Sequence, residues 1–275
     1  MTTADVTGQG DEPKVLRARG LEGVVHGFTT RLGGVSKGVW ASLNLGGAVG
    51  DDADDVAKNH EIAAAAGKFR RADLATPARQ VHGAEIHTVT SATTTPGDCD
   101  AVVTSAPGVV VGIRVADCVP LLLWDPAANS VGAVHAGWRG IVARIPFLAV
   151  VAMVERHASS PARLRAALGP AIGPCCYEVG ADVARLVTGV AEHTPRFQVI
   201  PLPHGVVGKL EDVKMRVDLR AAVVSLLLDA GLERAHIELV GGCTSCESKL
   251  FFSHRRDKGA SGRHLAFIGA RGTRR

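Results

Sequence analysis

The sequence predicts a mixed α/β fold of the α+β kind: one layered domain of mixed β-sheets covered by helices, stacked α/β/β/α. Three observations lead there. Short apolar runs bounded by Gly, Pro or Asp recur along the chain and read as strands buried on both faces. Segments of helical length with clear start and stop signals are interleaved with them. Hydrophobic residues make up 46% of the 275, which is ample for a large core.

The elements follow in chain order. The opening "MTTADVTGQGDEP", residues 1–13, lacks the apolar centre of a signal peptide and reads as a disordered tail ahead of one catalytic domain, 14–275. "VVHGFTT" is the first strand. "DDADDVAKNHEIAAAAG" is a helix with acidic residues at its start and Gly67 at its end, which suits the helix dipole and a C-terminal cap. "GVVVGIRV" is a further strand. "GIVARIPFLAVVAMVERHA" is helical from about Pro146 onward, since proline opens a helix but does not sit inside a straight one. "DLRAAVVSLLLDAG" is a helix capped by Asp218 and stopped by Gly231.

Between these lies a hairpin whose register can be worked out. "VPLLLW" and "VGAVHA" are joined by the six-residue turn "DPAANS", and if Trp124 faces Val131, paired positions sum to 255. Pro120 then lies opposite His135. Cys118, two residues before Pro120, projects from the same face as His135, because strand side chains alternate. A slip of one residue destroys this convergence.

Composition narrows the function classes. The net charge of +4, part of it in the terminal "RGTRR", is no nucleic-acid footprint. No window reaches the roughly 18 apolar residues of a membrane span, so the expectation is a cytoplasmic protein without membrane partners. Six cysteines in a chain this long are too sparse for a disulfide scaffold. "CTSC" has the spacing of half a zinc ribbon, yet no second C-x-x-C exists, so Cys243 and Cys246 read as buried thiols outside any site. Adjacent Cys175 and Cys176 cannot point the same way on an extended strand and read as packing in a loop beside the pocket. "RLGGVSKG" lacks the dinucleotide glycine pattern, so no nucleotide cofactor is implied. Nothing in the sequence sets an oligomeric state.

The segment "AVHAGWRG" holds the chemistry. His135 ends a strand, and Gly137 lets backbone or ligand come close before Trp138 and Arg139. From residue types alone, Cys118 and His135 either share a metal or proton or are polar groups packed in a core. His82 in "RQVHGAEIHTV" also precedes a glycine, but spacing does not place it beside them.

"QVHG", "ADCVPLLLWDP", "VHAGWRG", "GPAIGPCCYEVG", "FFSHRRD" and "SGRHLAFI" together resemble the laccase-domain family of purine nucleoside phosphorylases, also called multicopper polyphenol oxidoreductases. The likeness runs from "TTRLGGVS" at Thr29 to "AFI" near the C-terminus. It implies a catalytic zinc site on His82, Cys118 and His135, with copper the alternative metal. Three protein ligands leave a fourth position open, the pattern of a catalytic and not a structural ion. It also implies phosphorolysis of adenosine, inosine and S-methyl-5'-thioadenosine, together with adenosine deamination. The cations expected to hold phosphate are Arg31 and Arg139, with Arg255 and Arg256 as further candidates, and Asn44 is expected to bond ribose or base. The family usually has tyrosine and threonine where this chain has His254 and Ser261, which bears on specificity. Three rivals stand beside this reading. Cys118 and His135 could serve a metal-free hydrolase, or the chain could only bind a metal or purine. A copper-dependent polyphenol oxidase is the third, but 11 histidines without a His-x-His pair and only 3 methionines speak against a multicopper cluster.

Overall fold

Apolar strands that must hide both faces need a layer on each side, and the chain provides two sheets and two helical covers. The computed structural model describes residues 12–190 and 214–272; of the expected tail, residues 1–11 lie outside them. One sheet has five strands in the spatial order β1 (Val15–Leu16), β2 (His26–Thr29), β13 (His264–Gly269), β6 (Val110–Val115) and β3 (Leu74–Ala75). The other has six, in the order β12 (Ile237–Leu239), β9 (Arg165–Leu168), β7 (Val119–Asp125), β8 (Ser130–Ala136), β5 (Ala101–Thr104) and β4 (Ile86–Thr88). Both are mixed, because β3 runs parallel to β6, β12 to β9 and β4 to β5, while the remaining pairs are antiparallel. A separate ribbon pairs β10 (Glu178–Gly180) with β11 (Lys214–Arg216).

Alternation along each strand builds the layers. Leu122, Ala133 and Ala167 of the six-stranded sheet meet Val111, Ile113 and Ile268 of the five-stranded one in a core between the sheets. Their neighbours Leu121, Leu123 and Val134 face the other way, onto α3 (Ile145–His157) and α5 (Leu219–Asp229). The outer face of the five-stranded sheet packs Val110, Leu265 and Phe267 on Ala63 and Ala64 of α1 (Ala53–Gly67). Two further helices, α2 (Trp138–Val142) and α4 (Ala181–Gly189), lie on the six-stranded side, where Ile141, Ala184 and Val187 join the core. No helix among the described residues is long and apolar enough to cross a membrane.

The expected hairpin register is present: Pro120 faces His135 and Trp124 faces Val131. The turn differs, since Asp125 and Ser130 also pair and leave four residues between the strands, not six. Asp125 Oδ1 accepts the Ala127 and Ala128 amides and so closes the shorter turn. Asp218 caps α5 by accepting the Arg220 and Ala221 amides, and α3 begins with proline in its first turn. Gly67, by contrast, is the last residue of α1 and not its left-handed stop, a role taken by Lys68 at φ 64°. Its glycine serves packing: a Cβ there would lie 2.5 Å from Phe69 and 2.8 Å from Phe267.

Candidate active site

Cys118 sits immediately before β7, His135 near the end of β8, and His82 in the loop leading to β4. The fold therefore gathers three ligands from three segments at one end of the six-stranded sheet. Their ligand atoms all lie within 4.8 Å of one another, and the two imidazoles meet edge to face at 4.8 Å between centroids.

Two of the three segments are held in backbone conformations that side chains other than glycine rarely adopt. His82 has φ 60°, and Asp117, next to Cys118, has φ 84°. Such conformations persist where the surroundings over-determine them. For His82 the determinant is Asp100, which is fully buried ahead of β5. Its carboxylate accepts three successive amides, those of Val81 (3.0 Å), His82 (3.0 Å) and Gly83 (2.8 Å). It also takes Nδ1 of His135 at 2.7 Å. That bond fixes the imidazole's tautomer and leaves Nε2 for a metal, the usual arrangement of a carboxylate behind a ligating histidine. Burial opposes the charge on Asp100, yet bonds from His135, Gly83 and His82 hold its carboxyl below the usual range. For Asp117 the determinants are Thr244 Oγ1, donating at 2.6 Å, the Arg255 amide at 2.7 Å, and Ile172, whose amide donates to the Asp117 carbonyl at 2.9 Å.

The site is electrostatically primed. Burial works against a thiolate at Cys118, but the His135 charge and hydrogen bonds from both histidines outweigh it and bring the thiol down to about 6. Burial likewise disfavours the His135 cation, while Cys118 and Asp100 raise it to about 9. Two imidazoles and a thiolate poised to ionise fit a zinc ion with its fourth position open.

Gly137 makes room for this group. It carries the chain from β8 into α2, and a Cβ there would stand 3.0 Å from Cys118 Sγ and 3.1 Å from His82 Cδ2. The first two residues of α2, Trp138 and Arg139, then line a cavity of about 820 Å³ that also reaches His82, Cys118 and His135. The Arg139 side chain makes no hydrogen bond or ion pair among the described residues, and its guanidinium lies over Trp138 at 4.4 Å.

The other expected binding residues are placed differently. Arg31 does not line the cavity: it donates to the carbonyls of Ala41 (2.7 Å) and Ser248 (3.1 Å) and stacks on Phe252. Its position beside glycines reflects a loop clamp. Asn44 is fully buried behind the wall, where its amide bonds Asp51 and the Gly46 and Arg263 backbones. Asn44 thus shapes the cavity through Gly46 and Arg263, which do line it. Of the "HRRD" run, His254 and Arg255 face the cavity, while Arg256 is tied to Asp257 and to the Thr244 and Phe251 carbonyls. Ser261 is buried beside Asp257.

Sequence reasoning missed Asp100, whose signal was an acid directly before the apolar run "AVVTS", and Tyr177, the single tyrosine. Tyr177 also lines the cavity; burial, with Cys118 nearby, pushes its phenol up to about 12. The reading of the remaining cysteines needs correction. Cys243 is half-buried and Cys246 exposed, and they meet Cys175 and Cys176 in one cluster. Cys175 and Cys176 lie in a turn, where strand alternation does not apply and their sulfurs can meet one partner.

The chain is similar to known proteins over nearly its whole length. The family described as multi-copper polyphenol oxidoreductase laccase matches residues 25–271. The purine nucleoside phosphorylase YlmD of Geobacillus stearothermophilus is 41% identical over 90% of this chain and 91% of its own length. A purine nucleoside phosphorylase of Deinococcus radiodurans is 42% identical over 93% and 92%. A protein named adenosine deaminase RL5, from an unknown prokaryotic organism, is 34% identical over 91% and 95%. The crystal structure of YlmD from Geobacillus stearothermophilus superposes with a TM-score of 0.84 at 38% identity, covering 98% of this chain and 100% of that one.

Proposed function

The chain belongs to the multi-copper polyphenol oxidoreductase laccase family, and we propose that it is a zinc-dependent purine nucleoside phosphorylase that also deaminates adenosine. Adenosine, inosine and S-methyl-5'-thioadenosine are the proposed nucleosides, and residues 14–275 the catalytic unit. The observation that carries the reading is the convergence of His82, Cys118 and His135 on a cavity that also presents Arg139. Relatives named purine nucleoside phosphorylase and adenosine deaminase support both activities. A cavity of about 820 Å³ is large enough for a nucleoside with phosphate beside it.

His82, Cys118 and His135 would hold the metal, and a bound zinc supplies Lewis acidity and an activated water for hydrolytic loss of ammonia from C6 of adenosine. Asp100 keeps His135 with its proton on Nδ1 and its Nε2 free to face the metal position. Arg139, on the cavity wall, would bind phosphate, with Arg255 beside the cavity as a second cation. In phosphorolysis a phosphate oxygen bonds C1' of the ribose as the bond to N9 breaks, releasing the purine base and ribose 1-phosphate. Developing positive charge on the ribose is then offset by the phosphate that Arg139 positions. Tyr177 keeps its proton at neutral pH and offers Oη as a donor to the departing base.

Product analysis tests this. Adenosine with phosphate should yield adenine and ribose 1-phosphate, and adenosine without phosphate should yield inosine; Cys118→Ser should do neither. Phenol oxidation without nucleoside turnover would replace this reading with the polyphenol oxidase one.

A further inference from the structure

The catalytic group is one of two clusters able to ligate a metal among the described residues; the other consists of four cysteines. We propose that Cys175, Cys176, Cys243 and Cys246 form a second metal centre, a structural four-thiolate zinc site that pins the 171–177 segment to the 243–246 turn. It stands independently of the proposed activity.

Geometry argues first. A tetrahedral zinc–thiolate group has zinc–sulfur bonds of about 2.3 Å, which sets its sulfurs about 3.8 Å apart. Here Cys246 Sγ lies 3.5 Å from Cys175 Sγ and 3.4 Å from Cys176 Sγ, and all four sulfurs fall within 4.8 Å of one another. A disulfide needs about 2.05 Å, and pairing two of the four would leave the other two thiols without a role. Four protein ligands close the coordination sphere, the mark of a structural ion.

The backbone is arranged for thiolates. Gly173 donates its amide to Cys243 Sγ at 3.2 Å, and the Ser245 and Cys246 amides point at the same sulfur. All four are free thiols, packed at the spacing that one tetrahedral cation holds together. Gly173 has no room to spare, since a Cβ there would lie 3.2 Å from Cys175 Sγ and 3.3 Å from Cys243 Cβ.

The centre joins loops that shape the catalytic wall. Ala171 and Cys243 bridge through their backbones, and Tyr177 follows Cys176 into the cavity lining. Thr244, inside the C-x-x-C turn, is the residue whose hydroxyl holds Asp117 beside Cys118. The four-thiolate knot thus sets the position of one catalytic ligand without touching substrate.

Zinc content of the full chain, purified under reducing conditions, tests the proposal. Wild-type protein should carry one ion at each of the two groups. Cys246→Ser should lose one ion. In Cys118→Ser, zinc-edge X-ray absorption should find the remaining ion surrounded by sulfur alone at about 2.3 Å. A wild-type chain with a single zinc, lost in Cys118→Ser and retained in Cys246→Ser, overturns the proposal. So does an intact wild-type mass two hydrogens light with Cys246 in a disulfide, which makes the cluster a redox pair. Should Cys246→Ser fail to fold, cadmium exchanged into wild-type protein answers the same question by NMR. Two resonances, one at a tetrathiolate shift, support the centre, and one resonance without sulfur-rich character refutes it. An inactive protein that holds both ions still supports this centre while counting against the catalytic reading.

Discussion

Asp100→Asn changes one atom of a fully buried side chain and should uncouple metal binding from fold. The carboxylate accepts four N–H groups, Nδ1 of His135 and the amides of residues 81–83. Asparagine turns one of its two acceptors into a donor. Placed at Oδ2, the new NH2 faces the Val81 and Gly83 amides, and two half-buried donors lose their acceptor at up to about 1–3 kcal/mol each. Placed at Oδ1, it opposes the His82 amide and Nδ1 of His135 and drives that imidazole's proton to Nε2, the atom the proposed metal would need. Either way the second arrangement is worse than the first carboxylate, and loss of such a supporting group typically costs about 10–100-fold in metal affinity. Chelator competition measures the affinity, and urea denaturation measures the accompanying loss of stability. Wild-type metal affinity in a folded Asp100→Asn protein would refute the role assigned to this carboxylate.

Other consequences follow from the same contacts. Gly137→Ala puts a methyl 3.0 Å from Cys118 Sγ and 3.1 Å from His82; crowding of this kind costs about 1–3 kcal/mol, so metal titration should find weaker binding and the melting temperature should fall by several degrees. Arg139→Ala should raise the phosphate concentration needed for ribose 1-phosphate formation and spare deamination. Arg31→Ala, which removes a clamp on the Ala41 and Ser248 carbonyls, should instead lower stability and both activities together; equal loss of both activities in a stable Arg139→Ala would remove phosphate binding from its role. Acid should destabilise the protein through His60 and His264, which burial lowers to about 4 and about 3. Both stay neutral when folded but take up protons near 6.5 when unfolded, so their contribution is complete above that pH and lost as pH falls towards their folded values. Urea midpoints between pH 7 and 4.5 should therefore decline, less steeply in His264→Gln, and an unchanged slope in that variant would refute the assignment.

The hairpin was legible because its two apolar runs sit close in sequence: once Trp124 faces Val131, every other pair follows, and alternation brings Cys118 and His135 to one face. The α5 cap was legible for a similar reason: Asp218 acts on amides two and three residues away. Contacts across long sequence separations were not. His82 joins the site only because Asp100, eighteen residues on, gathers its loop, and no periodicity encodes that bond. Arg31 and Arg139 look alike in sequence, each beside glycines, yet one clamps the Ala41 carbonyl ten residues on and the Ser248 carbonyl 217 residues away, while the other lines the cavity with its guanidinium over Trp138. The four cysteines were misread because a partner C-x-x-C was sought, when an adjacent pair in a turn approaches from 70 residues upstream.

The most direct measurement is ribose 1-phosphate formation from adenosine and phosphate by wild-type protein stripped with chelator and then given zinc back. The activity should vanish on stripping and return with the metal, because the proposed function has His82, Cys118 and His135 act through a bound ion. Contradiction would come from stripped protein that keeps full turnover but is killed by alkylating Cys118, for then the thiol itself is the nucleophile and the metal is incidental.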